Sequence, residues 1–233
     1  MNYELDFSVV LTGEYRDWLI DGTVLTIKLA GFSLVLALAL GVIVAVCRLA
    51  PFKPLNWIAA TYVEFVRNTP LLVQMLFWYF GSTQILPQAL NDWLYAGNFE
   101  FVAAAIALTM YTAAFISEDV RSGVRSIPRE QMEAARASGF TFLQAMRYVV
   151  LPQALRITVP PLINQSLNLT KNSSLAMAIG VAELTYRARE IESYTFKTFE
   201  AFAASTTIYL VLSLVIIAAA YFYERAVLQR RPG

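Results

Sequence analysis

The chain has 233 residues, 58% hydrophobic and only 15% charged, with a net charge of +1, whereas a soluble domain of this size carries about a quarter charged residues. That balance gives no nucleic-acid signal, and the single Cys47 excludes an intrachain disulfide and leaves the redox compartment unread. Histidine is absent, which removes the commonest acid/base residue and metal ligand and sets any enzymatic reading at a disadvantage.

The charges fall between long stretches that have none, the pattern of membrane spans joined by loops. At the N-terminus Glu4, Asp6, Glu14 and Asp17 outnumber Arg16. A cleavable signal peptide needs a basic start, so the first span is expected to remain in the mature protein. A span needs roughly 20 apolar residues to cross about 30 Å of hydrocarbon. The first runs from about 26 to 47 and is followed by Pro51 and Pro54. The second, about 62–86, carries Glu64, Arg67 and Pro70 in its first half. The third covers about 101–120, the fourth about 157–182, and the fifth about 201–223. The sequence therefore predicts an all-α integral membrane protein with five transmembrane helices. A segment 1–22 is expected outside, a single transmembrane domain at 23–228, and a tail 229–233 in the cytoplasm.

Orientation follows from Lys and Arg in the connections. Arg48 and Lys53 follow the first span. Arg121, Arg125, Arg129, Arg136, Arg147 and Arg156 follow the third, and Arg225, Arg230 and Arg231 follow the fifth. These connections share one side, so the N-terminus is expected outside. Lys28, Arg67 and Lys171 remain inside spans, where a charge costs about 2.5–3.5 kcal/mol unless it faces a cavity or a partner.

Pro70 should kink the second span and leave a carbonyl near residue 66 free. Glu64 and Arg67 stand i and i+3, spaced to pair along one face. They either line a path or form an internal tie, and Glu118 with Arg121 reads as such a tie. Phe77, Trp78, Tyr79 and Phe80 read as a lipid-facing or interfacial belt.

The loop of about 127–152 is the most specific feature. Pro128 opens a helix that runs to Ala137, and Gly139 can take the left-handed conformation that ends it. Thr141 and Gln144 form a capping box for a second helix, which Leu151 and Pro152 should stop. This corner is too short and charged to cross a membrane. It either docks Ala134, Phe140, Phe142 and Met146 into a partner's groove or lies on the lipid surface.

In the fourth span, about 22 Å of helix separates Arg156 from Lys171. Asn164, Asn168 and Lys171 share one stripe, with Thr170 more loosely on it and Asn172, Ser173 and Ser174 nearby. An ammonium among amides and hydroxyls suits the carboxylate of an amino acid. The alternatives are a tie to Glu64 or Glu118, or a gate.

The spacing Glu133-Ala134-Ala135, three residues, Gly139, nine residues, Val149-Val150-Leu151-Pro152 resembles the signature loop of ABC importer permeases, with Val149 in place of the usual isoleucine. Val63-Glu64-Phe65-Val66-Arg67-Asn68-Thr69-Pro70-Leu71-Leu72-Val73-Gln74 and Asn168-Leu169-Thr170-Lys171-Asn172-Ser173-Ser174-Leu175 are similar to motifs of the polar amino-acid subgroup. The resemblance implies a type I permease fold in a bacterial inner membrane. Glu133, Ala134, Ala135, Gly139, Phe140, Leu151 and Pro152 would then couple to a cytoplasmic ATP-binding subunit dimer. A second similar or identical permease and an extracytoplasmic solute-binding protein complete that picture. Substrate contacts are expected from Lys171, Asn172, Asn168, Thr170, Ser173, Glu64 and Arg67.

No Gly-x-x-x-x-Gly-Lys-Ser/Thr occurs in the chain, so it has no phosphate cradle of its own. No cofactor is expected here, and ATP and Mg belong to the partner ATPase. The overall pattern resembles permeases of glutamate/aspartate importers, which points to those acids or their amides. The competing classes are an ion-coupled secondary transporter and a non-transporting membrane scaffold.

Overall fold

The structure, a computed structural model, describes residues 4–225, and its regular elements are all helical. The expected basic tail at Arg230 and Arg231 lies outside the described residues. A short α1 (Ser8–Leu11) precedes α2 (Gly13–Leu49). The latter begins well before residue 26 because Tyr15, Trp18 and Leu19 have an apolar surface to pack on. α3 (Lys53–Arg67) ends at Asn68, and α4 (Leu71–Leu76) starts after Pro70. A π turn (Phe77–Gly81), α5 (Ser82–Ile85) and α6 (Gln88–Tyr95) follow. Next come α7 (Phe99–Arg125), α8 (Arg129–Ala137) and α9 (Phe142–Ala145). A second π turn (Met146–Val150) leads into α10 (Leu151–Asn172), which tightens into a 3₁₀ helix (Ser173–Ile179). The chain closes with α11 (Leu184–Thr195) and α12 (Thr198–Tyr223). By length and composition α2, α7 and α12 suffice to cross a membrane.

Two expectations are corrected. The second predicted span is two helices with a break between them, because Pro70 sits extended at φ −61° and ψ 135° and caps α4. Proline disfavours helical geometry in the residue before it. The carbonyls at the end of α3 are not left free. The Thr69 hydroxyl donates to the Phe65 and Val66 carbonyls at 3.0 and 3.3 Å, and the Asn68 amide donates to that of Glu64 at 2.7 Å. Leu151 and Pro152 likewise do not stop a helix, since the chain stays helical from Phe142 to Ile179. Pro152 lacks an N–H and crowds the carbonyl four residues back; the π turn just before it gives that carbonyl room.

The chain divides into two compact units. Unit one comprises residues up to 34, 70–108 and 167–219. Its core gathers Val10, Leu19, Leu184, Ile191, Ala201 and Ala204, with Tyr15, Trp18, Ile208 and Tyr209 against them. Unit two comprises 35–69, 109–166 and the residues from 220 on. Ala37, Ala113 and Ile116 form one of its clusters, and Val63, Val66 and Ala114 another. The small residues let helices approach closely, and in a bilayer van der Waals packing of this kind holds helices together. A Cβ on Gly41 of α2 would stand 2.6 Å from the Ile116 side chain of α7.

Candidate functional site

The corner at α8 and α9 is built by its own hydrogen bonds. Gly139 lies at φ +90°, a conformation that costs residues with a Cβ dearly. That turn lets the Phe140 N–H reach the Ala135 carbonyl at 3.2 Å and the Gly139 N–H reach that of Arg136 at 3.0 Å, the paired bonds of a Schellman motif. The expected capping box is present. The Gln144 N–H donates to the Thr141 hydroxyl at 3.3 Å, and the Thr141 N–H to the Gln144 side chain at 2.8 Å. Ala135 and Ala145 are buried on the inside of the corner. Ala135 thus packs on the inner side of the turn, while its neighbours Ala134 and Arg136 are exposed.

The outside of the corner is apolar and unpartnered. Phe140, Phe142 and Tyr148 are exposed, and Leu143 is 76% exposed. Met146, expected at the surface, is half-buried. Glu133, Ala134 and Arg136 are exposed on α8, and so are Leu151 and Pro152. The sequence reading missed Leu143. Its place at the tip of a four-residue helix, beside Phe142, was the available signal.

Unit two also holds a charged cluster. Glu118 on α7 accepts from Arg121 one turn on, as expected, and also from Arg48 on α2. Next to it, Asp119 accepts from the Gln165 amide of α10 at 2.8 Å. Glu64 and Arg67 do not pair with each other. The Arg67 guanidinium lies over the Phe115 ring at 5.0 Å and feels the Asp119 carboxylate, while Glu64 takes the Asn68 amide at 3.4 Å. The i,i+3 reading failed here because partners on α7 compete for Arg67.

Along α10, Asn164, Asn168 and Lys171 are all exposed, so the polar stripe faces away from the chain's own packing. Lys171 joins no ion pair among the described residues, and Glu118 is occupied by its two arginines. Thr170 and Ser173 are buried, and the Ser173 hydroxyl donates to the Thr170 carbonyl at 2.7 Å. That bond lies where the α-helix passes into 3₁₀ geometry. Asn172 is half-buried. Glu64 and Arg67 are exposed but belong to unit two, whereas Lys171 belongs to unit one. Of the four aromatics read as a belt, Phe77 and Phe80 are exposed, while Trp78 and Tyr79 are half-buried and Tyr79 meets Phe99 at 5.3 Å.

Near the end of the fourth predicted span, Gly180 at φ +89° ends the 3₁₀ helix with a second Schellman pair. Glu183, fully buried, then caps α11 by accepting the Thr185 and Tyr186 N–H groups at 2.9 Å each. It also accepts the Tyr209 hydroxyl of α12 at 2.7 Å. Burial pushes its carboxyl above the usual range, against these hydrogen bonds. The Leu184 N–H donates to Thr26 of α2 at 3.1 Å, so three helices of unit one meet at this cap. Beside it, a cleft of about 370 Å³ is lined by Met177, Tyr186, Arg189, Glu190, Ser193 and Tyr194.

The chain matches the model of the binding-protein-dependent transport system inner membrane component over residues 37–229, and it belongs to that family, in the polar amino-acid subgroup of ABC importer permeases. It is 42% identical over 220 residues to the probable glutamine ABC transporter permease protein GlnM of Bacillus subtilis (strain 168), covering 94% of each chain. It is 35% identical over 223 residues to the glutamate/aspartate import permease protein GltJ of Escherichia coli (strain K12), covering 94% of this chain and 90% of that one. The crystal structure of an amino acid ABC transporter with histidines matches it at a TM-score of 0.85 and 32% identity, over 97% of this chain and all of that one. The chain is accordingly a transport subunit and not an enzyme, and ATP is hydrolysed by a separate ATPase. Family membership sets aside the secondary-transporter and scaffold readings.

Proposed function

We propose that this chain is one of two permease subunits that together enclose a translocation path for a polar amino acid across a bacterial inner membrane. It crosses the membrane five times with its N-terminus outside, as the distribution of Lys and Arg predicts. A cytoplasmic ATP-binding subunit dimer closes on ATP and carries the corner with it. The helices tilt, and the central cavity alternates between the two sides of the membrane. A solute-binding protein delivers the amino acid from outside.

The observation that carries this reading is the corner itself, with Phe140, Phe142 and Leu143 exposed on a turn fixed by Gly139. An exposed apolar cluster rimmed by charge marks an interaction surface. The test is Gly139→Leu in the assembled, reconstituted transporter. Uptake should fall by about tenfold or more, equivalent to about 1.4 kcal/mol of lost coupling, while the complex is present at normal levels. Normal uptake would overturn the reading.

For the substrate we propose glutamate, aspartate or their amides, contacted by Lys171 with Asn168 and Asn172. The exposed, unpaired ammonium beside amides supports this. Glu64 and Arg67 are proposed as path-lining charges of the other unit. Lys171→Ala should lower glutamate uptake about tenfold or more, and Lys171→Arg should retain part of it, because a carboxylate hydrogen-bonded to a cation contributes about 1.5–3 kcal/mol. Unchanged uptake by Lys171→Ala would remove the contact.

A further inference from the structure

We propose that unit two binds an anionic phospholipid of the cytoplasmic leaflet, with an acyl chain in a groove between α2 and α3 and the phosphate on Lys53. This rests on the orientation proposed above, in which the ends of α2 and α3 that meet at Leu49 and Lys53 face the cytoplasm. The groove holds about 300 Å³ between Leu40, Val44 and Cys47 of α2, Leu55 and Ile58 of α3, and Met110 of α7.

The polar groups at its border are already satisfied. The Tyr62 hydroxyl donates to the Met110 carbonyl at 2.7 Å and leaves only the ring as a wall. The Asn56 amide donates to the Arg48 carbonyl, and the Arg48 guanidinium is held by Glu118. Water entering such a groove would find no partner, whereas hydrocarbon loses nothing there. The neighbouring surface is as apolar, with Ile58 68% and Trp57 77% exposed. Chain order sets Cys47 beside Leu55 at one end of the groove and Leu40 beside Tyr62 at the other. Lys53 stands just past the Cys47 end, exposed at the first position of α3.

The charge argues for the occupant. A lysine at a helix N-terminus is disfavoured by the helix dipole unless an anion shares the site. Arg48 and Arg121 share the single Glu118 carboxylate and leave one positive charge over there, to which the exposed Lys53 at the mouth adds its own. Trp57, one turn further along α3, is the residue type that settles at headgroup level. A basic side chain beside an apolar slot on the cytoplasmic side is complementary to an anionic headgroup with its chain.

The test uses the assembled transporter in nanodiscs of phosphatidylcholine, with or without phosphatidylglycerol. Native mass spectrometry counts lipids retained, and N-ethylmaleimide alkylation, mapped by peptide to Cys47, reports occupancy; this chain has no other cysteine. Phosphatidylglycerol should be retained and should slow alkylation about tenfold, the protection expected at a free lipid level about tenfold above its dissociation constant. Lys53→Glu should abolish the preference for phosphatidylglycerol, and Leu55→Trp, which fills the groove, should abolish retention. Equal alkylation in both nanodiscs would overturn the proposal, as would retention unchanged in both variants. Cys47 shielded alike in either lipid would mean that a partner subunit covers the groove, and it would overturn the proposal too. The wild-type comparison needs no substitution and stands even if Leu55→Trp fails to assemble. Failure of the transport reading would appear as normal uptake in Gly139→Leu and leave lipid retention untouched.

Discussion

Two carboxylates, Glu118 in unit two and Glu183 in unit one, each tie helices within their own unit, and each can be tested alone. Glu118 satisfies Arg48 and Arg121 at once, with side chains only 11–24% exposed. Removing one partner of a buried ionic group leaves the others uncompensated. Glu118→Ala should destabilise the complex by about 3 kcal/mol, and adding Arg48→Ala should recover part of that loss; thermal unfolding of the four cycle members measures it. Glu183 has the opposite balance, since burial makes its ionised form costly. The folded state therefore binds the proton more tightly than the unfolded chain. Stability should decline as pH rises from the ordinary carboxylate range through the raised value, and the decline should vanish in Glu183→Gln. Glu183→Ala loses the α11 cap and the acceptor of a buried tyrosine, and should cost about 2–4 kcal/mol, read as a lower unfolding temperature.

At the scale of elements, the turn and the cap of the corner were legible in the sequence. Gly139, Thr141 and Gln144 are local signals, and their bonds span at most five positions. Local chemistry of this kind is written in the sequence whatever the tertiary context. The break at Asn68–Pro70 was half legible: Pro70 announced a disturbance, but Thr69 and Asn68 turned a kink into a clean helix end. Asp119 was missed because its partner, Gln165, lies 46 residues away, and no periodicity reports such a contact. The polar stripe on α10 shows in the exposure of Asn164, Asn168 and Lys171, but burial separates Thr170 from it. Close packing gives its own prediction. Gly41→Ala would press a methyl against Ile116 and the Ala113 carbonyl, and should destabilise by about 1–3 kcal/mol, measurable as loss of assembled complex on heating.

For the whole molecule, the two units are not separable domains. Domain boundaries usually fall in exposed linkers, yet here four of the five division points, at 34, 108, 166 and 219, lie inside α2, α7, α10 and α12, and one, at 69, falls between α3 and α4. Each unit is assembled from distant stretches that a cut would leave unfinished. A protease site at the exposed Gly97, where an added side chain meets nothing, should be nicked without loss of the complex. The same site at the buried Leu108 should prevent its accumulation.

The uninterrupted helical run from Phe142 through Val150 to Asn172 has a mechanical consequence. Its foot, which bears Leu143, runs without a loop up to Pro160 and Pro161, a stretch of about 25 Å. Those prolines remove the bonds to the Arg156 and Ile157 carbonyls, so any flexing of the run concentrates there.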